Sequence, residues 1–154
     1  MTTACMSERH FKILLVEDNA ADIYLVRKAL TDAGLVFGLK VLEDGALALA
    51  FVSEPDSAAA SALPDLILLD LNLPKADGLD VLAAIRANPR MAAVPVVIAT
   101  SSSAPSERAR AETLGVDGFL TKPPDLTRFM EMGVAIRELL FRPLDGARGT
   151  GAIA

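Results

Sequence analysis

The chain has 154 residues, 52% of them hydrophobic, with 15 Lys and Arg against 20 Asp and Glu, a net charge of -5 and one cysteine. That length carries one buried core and is short for two ordinary domains, and the acidic balance excludes a protein that tracks a nucleic-acid backbone, which needs a basic face to displace counterions. Cys5 alone permits no internal disulfide and no cysteine-based zinc site, which fits a reducing compartment and makes the cytoplasm the expected location; no apolar run approaches the roughly 20 residues that span a bilayer, so no membrane partner is expected.

In chain order, residues 1–10 read as a flexible N-terminal segment. FKILLV (11–16) is short, rich in Ile, Leu and Val, and reads as a strand buried on both faces. Ile23, Val26 and Leu30 then recur three or four apart after Asp18 and Asn19, the pattern of a capped helix. A weaker strand at 36–42 and an Ala-rich helix at 46–53 follow. EPDSAAASALP (54–64) has small residues, two prolines and no periodicity, and reads as an enlarged surface loop. DLILLD (65–70) is the third strand, and Leu79, Leu82 and Ile85 form the next helix, opened by Asp77 and by Gly78, which relieves backbone crowding. VPVVIAT (94–100) and GFLT (118–121) are the fourth and fifth strands. The last helix carries Leu126, Phe129, Gly133, Ile136 and Leu140 after Asp125. Strict strand and helix alternation, ending in a fifth helix, means a doubly wound α/β domain over 11–141, a five-stranded parallel sheet with helices on both faces. The tail RPLDGARGTGAIA (142–154) lacks the bulky apolar residues to offset the entropy of ordering it and reads as disordered.

In open parallel sheets, ligands sit beyond the carboxyl ends of the strands. Those ends carry Glu17 and Asp18, Asp70, Thr100 and Ser101, and Thr121 and Lys122. Each of these alone reads as a capping or solvated loop residue, but three carboxylates, a hydroxyl and an ammonium converge on one rim. Crowded carboxylates repel unless a cation relieves them, and a hard divalent ion such as Mg²⁺ takes oxygen ligands while keeping several waters. Asp18 and Asp70 suit direct ligation, Glu17 a water-mediated contact, and the Asn72 backbone carbonyl a further ligand. With the metal in place, Asp70 suits attack on a phosphoryl group as a carboxylate nucleophile, with Lys122 and Thr100 on the phosphoryl oxygens.

ILLVEDN, LILLDLNLPKADG, VVIATS and FLTKP, in this order at successive strand ends, resemble the four motifs of bacterial response regulator receiver domains. The resemblance covers about residues 11–141. It implies a CheY-like, flavodoxin-like fold of strand order 2-1-3-4-5, with Asp70 as phosphate acceptor, Glu17 and Asp18 as the acidic metal pair, Thr100 and Phe119 as switch residues, and Lys122 as the lysine that senses the phosphoryl group. It also implies that Asn72 and Ser102 tune dephosphorylation. The 54–64 loop, LDLNLP and the run Lys122 to Leu126 resemble stand-alone regulators of the cyanobacterial-phytochrome partner type. The implied partners are a sensor histidine kinase, of the bacteriophytochrome or a hybrid type, and a phosphotransfer protein; the chain modifies only itself and turns over no metabolite.

Other residues leave two readings open. Phe119 is either core or switch. Pro74 and Pro123 shape loops, with the bond after Lys122 a candidate cis peptide. Tyr24, His10 and Cys5 take surface or packing roles. On the last helix, Leu126, Phe129, Ile136 and Leu140 suit the sheet, whereas Met132, Ala135 and Leu139 form a second apolar stripe, expected to be a homodimer interface. Two rivals remain: a phosphate-independent interaction module, which does not need the full acid set and Lys122, and an aspartate-nucleophile phosphatase, whose paired acids follow the first strand and not the third.

Overall fold

Alternating short apolar runs and helical periods build a sheet layered between helices. The computed structural model describes residues 9–53, 63–101, 104–122 and 125–141. Cys5, most of the 54–64 loop, Ser102, Pro123 and the 142–154 tail lie outside the described residues. The order is β1 (His10–Val16), α1 (Ala20–Asp32), β2 (Val36–Leu42), α2 (Gly45–Ser53), β3 (Leu66–Leu69), α3 (Gly78–Ala87), β4 (Val96–Thr100), α4 (Pro105–Leu114), β5 (Gly118–Thr121) and α5 (Leu126–Phe141). All strands pair in parallel in the order β2-β1-β3-β4-β5, the order expected from the family resemblance.

Every residue of β3 and β4 is buried, as continuous apolar runs in a two-faced sheet require. Strand alternation divides the core. Leu14, Val16, Ile67, Leu69, Val96 and Ile98 pack on one face with Ala48 and Val52 of α2, Leu79, Leu82 and Ile85 of α3, and Ala111 of α4. Ile13, Leu15, Leu66, Leu68, Val97 and Ala99 pack on the other with Val26 and Leu30 of α1 and Phe129 and Ile136 of α5. β2, the edge strand next to β1, is only half covered. The fourth helix, implied by the alternation but not located in the sequence, is PSERARAETL; it buries only Ala111, so it carries no apolar period to read. It opens with proline in its first turn, where a missing N–H costs nothing.

Two expectations for the last helix are corrected. Met132 does not stand on an outer stripe: it is 6% exposed and joins the core with Phe129, Gly133 and Ile136. Leu126, expected on the sheet side, is 53% exposed. The reason lies at Gly133, where an added Cβ would meet the Ala29 carbonyl oxygen at 2.2 Å. So close a crossing of α1 and α5 sets the stripe 129, 132, 133 and 136 inward, while Leu126 is the first residue of the helix, about two turns before that crossing. Ala135 is half-buried and Leu139 packs against the same core, while the large apolar residues that α5 exposes are Leu126 and Val134.

Candidate functional site

Strand register brings the polar residues together. Val16 pairs with Leu69, so Glu17 and Asp70 leave adjacent strands at the same level; Thr100 pairs with Thr121, so Lys122 follows one residue beyond. The backbone is tied at each exit: Asp70 N–H donates to the Val16 carbonyl at 3.1 Å and Lys122 N–H to the Thr100 carbonyl at 2.7 Å. Behind Asp70, the loop turns through Lys75, whose φ is 73°, and the Gly45 N–H at the start of α2 holds the Pro74 carbonyl at 3.0 Å. At the start of α3, a Cβ on Gly78 would lie 2.4 Å from the Asp70 carbonyl oxygen. Only glycine lets the helix start so close beneath that residue. Asp77 caps α3 by accepting from Leu79 N–H at 2.9 Å.

Glu17, Asp70 and Thr100 are the buried polar side chains of the described core, at 1%, 5% and 0% exposure. The Lys122 ammonium lies among three carboxylates: it donates to Glu17 Oε1, to Asp22 Oδ2 at 2.8 Å and to Asp70 Oδ2 at 3.1 Å. The second oxygen of Asp70 accepts from the Asn72 N–H at 3.0 Å, and Glu17 Oε2 accepts from the Asn19 N–H at 3.2 Å. The Asn72 side-chain amide donates to the Thr100 hydroxyl at 3.3 Å. Among the described residues no buried side-chain nitrogen or oxygen lacks a partner.

Burial pushes the Glu17 carboxyl up to about 7, with the Asp70 charge adding to the rise and the Lys122 hydrogen bond and charge opposing it. Burial draws the Lys122 ammonium down, yet its hydrogen bonds to Asp22 and Glu17 and the charges of Asp70 and Glu17 carry it above the ordinary lysine value. The pocket therefore favours a positive charge beside its acids.

Glu17, Asp18 and Asp70 offer carboxylate oxygens that all lie within 4.8 Å of one another. That all-oxygen, multiply charged set suits a hard divalent cation. Glu17, Asp18, Asp70, Asn72, Thr100 and Lys122 are thus placed around one rim. Phe119 is 3% exposed and faces the α2, α3 and α4 side, with the Arg108 guanidinium 5.2 Å from its ring centre. Tyr24 and His10 lie at the surface. Sequence reasoning missed Asp22. It stands in the first turn of α1, just after the Asn19 cap, where an acid is ordinary, so the sequence carried no signal of its reach to Lys122.

The sequence profile described as "Response regulator receiver domain" matches residues 13–133. Response regulator Rcp1 of Synechocystis is 42% identical over 120 residues, which cover 78% of this chain and 82% of that protein. Its Mn²⁺-bound form superposes at a TM-score of 0.77, with 38% identity and coverage of 89% and 99%. The phosphorylated cyanobacterial phytochrome response regulator RcpA superposes at 0.77, with 39% identity and coverage of 86% and 94%. The bacteriophytochrome response regulator AtBRR is 35% identical, with a TM-score of 0.66 over 90% of this chain and 99% of that one.

Proposed function

The chain belongs to the response regulator receiver family, and we propose that it accepts a phosphoryl group from a histidine kinase on Asp70 and passes the change through Thr100 and Phe119 to the α4–β5–α5 side. One observation carries the residue assignments: a buried carboxylate at the end of β3 lies within reach of both an acidic oxygen cluster and a buried ammonium. An Asp70 oxygen attacks phosphorus of the phosphohistidine. The phosphorus–nitrogen bond breaks, its electron pair stays on the imidazole, and an aspartyl phosphate forms. Lys122 then shifts its ammonium toward a phosphoryl oxygen, and the Thr100 hydroxyl and backbone N–H groups near Asn72 donate to the others. Mg²⁺, held by Glu17, Asp18, Asp70 and the Asn72 carbonyl, would neutralise charge on the transferring group.

The same reading makes the domain 11–141 its own only catalyst, with no free metabolite turned over, places it in the cytoplasm, and assigns phosphoryl lifetime to Asn72 and Ser102. Its kinase is of the bacteriophytochrome or a hybrid type, by likeness to Rcp1, RcpA and AtBRR, and a phosphotransfer protein is its partner in a relay. Homodimer formation through α5 uses the outward Leu126 and Val134, since Met132 is core; sedimentation of wild type and Val134→Glu tests that pairing. None of the described helices is long and apolar enough to cross a membrane.

The deciding experiment is phosphorylation with Mg²⁺ and a small phosphodonor. Wild type should gain one acid-stable, base-labile phosphoryl group, and Asp70→Asn, which removes the nucleophile at little change in volume, should gain none while melting cooperatively. Phosphate on another residue of the wild type would overturn the assignment.

A further inference from the structure

The three carboxylates around Lys122 are not equivalent. Glu17 and Asp70 belong to the oxygen cluster that suits a metal; Asp22 does not. Asp22 Oδ2 is 2.8 Å from the ammonium, closer than Asp70 Oδ2 at 3.1 Å. Its side chain is 28% exposed, against 2% for Glu17 and 7% for Asp70, so it approaches the lysine from the solvent side of the cluster. Its backbone is fixed as well, because the Asp22 N–H donates to the capping oxygen of Asn19 at 3.0 Å. A helix start thus holds a carboxylate against the lysine at a set place.

We propose that Asp22 is a positioning residue that holds the Lys122 ammonium toward α1 and competes for it with the group carried on Asp70. This rests on Asp70 being the phosphoryl acceptor. Once a divalent cation shares Glu17 and Asp70, two of the lysine's three carboxylate partners are divided between two cations. Asp22 alone keeps an undivided claim. An incoming phosphoryl group must then draw the ammonium off Asp22, so the strength of that pair sets part of the affinity of the site for the phosphoryl group. The competing account is an acid in the first turn of α1 that only complements the helix N-terminus, and that account needs no Lys122. The two accounts separate in a thermodynamic cycle.

The test titrates the full chain with beryllium fluoride at saturating Mg²⁺, in wild type, Asp22→Asn, Lys122→Met and the double variant. Asp22→Asn should bind the phosphoryl mimic about 3- to 10-fold more tightly, the range expected on releasing one charge-assisted hydrogen bond at a partly exposed pair. Affinity for Mg²⁺ alone should change by about threefold or less, as Asp22 lies outside the metal cluster. In the Lys122→Met background the gain should vanish. An equal gain in both backgrounds, or weaker binding in Asp22→Asn, overturns the proposal. A wild type that binds no beryllium fluoride strikes the acceptor reading instead, and the clamp is then read in the metal-free protein by the ¹⁵N signal of the Lys122 ammonium. Asp22→Asn should speed its hydrogen exchange; an unchanged exchange rate overturns the clamp.

Discussion

Glu17 at the end of β1 and Lys122 just past β5 form an ion pair across 105 residues of sequence, with side chains only 2% and 6% exposed. β3 and β4 lie between their two strands, so the pair bridges the sheet rim rather than one strand edge. A pair so placed links the titration of a single carboxyl to the stability of the rim.

Glu17 binds its proton more tightly in the folded chain, with a value of about 7 against 4.5 for the free group. A raised value means that this stabilisation is complete below pH 4.5 and is lost as pH rises through 7. The loss amounts to about 3 kcal/mol at most. In chelator, denaturant titrations from pH 5 to 8 should show the wild type losing stability with rising pH, and Glu17→Gln losing much less. Equal slopes for the two proteins would remove Glu17 as the cause.

Like charge at the same rim argues a second outcome. Glu17, Asp18 and Asp70 repel one another when no cation is bound, and Asp18 is the exposed member whose neutralisation disturbs no packing. Mg²⁺ at about 100 times its dissociation constant should stabilise the wild type by about 2.7 kcal/mol. Asp18→Asn should need at least about tenfold more Mg²⁺ for the same effect, and its metal-free form should melt no lower than wild type. A wild type whose melting temperature ignores Mg²⁺ would show that the acids hold no such ion.

The rim was legible because its residues sit at the ends of strands whose apolar runs stand out: Glu17, Asp70 and Lys122 each come directly after one, and Thr100 closes one. Asp22 was not legible, since an acid in the first turn of a helix is ordinary and its reach to Lys122 depends on how α1 lies across the rim. Met132 was misplaced for a similar reason. The apolar period of α5 allows two neighbouring stripes, and only the close crossing at Gly133 and Ala29 decides between them. α4 was hidden because its sequence is polar nearly all round.

Arg86 was equally invisible in sequence, and it holds the opposite end of the sheet. Its guanidinium donates to the carbonyls of Ala92, Val94 and Gly115 at 2.7 to 3.0 Å and pairs with Asp117 at 3.4 Å, at 11% exposure. Arg86→Ala leaves those acceptors short of a donor and should cost about 2–4 kcal/mol in denaturant unfolding. Beryllium fluoride affinity of the folded fraction should stay within about threefold, as the contact lies far from the acceptor rim. A cost below about 1 kcal/mol would show that water replaces the guanidinium without loss.

Gly78 and Gly133 offer a paired comparison in which the same substitution strains two different places. A Cβ at Gly133 meets the Ala29 carbonyl oxygen at 2.2 Å, between α1 and α5; one at Gly78 meets the Asp70 carbonyl oxygen at 2.4 Å and Leu71 Cα at 2.6 Å. Backbone atoms cannot swing aside as a side chain does, so both alanine variants must shift a helix or a loop, at a cost of about 1–3 kcal/mol each. The consequences for chemistry differ. Gly78→Ala displaces the loop that aims the Asp70 carboxylate between Asn72 N–H and Lys122, and a misplacement near 1 Å at a reacting group costs roughly 100-fold in rate. Gly133→Ala separates α5 from α1, which moves Asp22 with α1 but leaves the strand ends that carry Asp70 and Lys122 in register. Phosphorylation by a small phosphodonor, measured well below each variant's melting temperature, should therefore slow by at least about tenfold in Gly78→Ala and by less than about threefold in Gly133→Ala. Matching rates in the two variants would mean that the Gly78 contact carries stability alone and does not aim the acceptor.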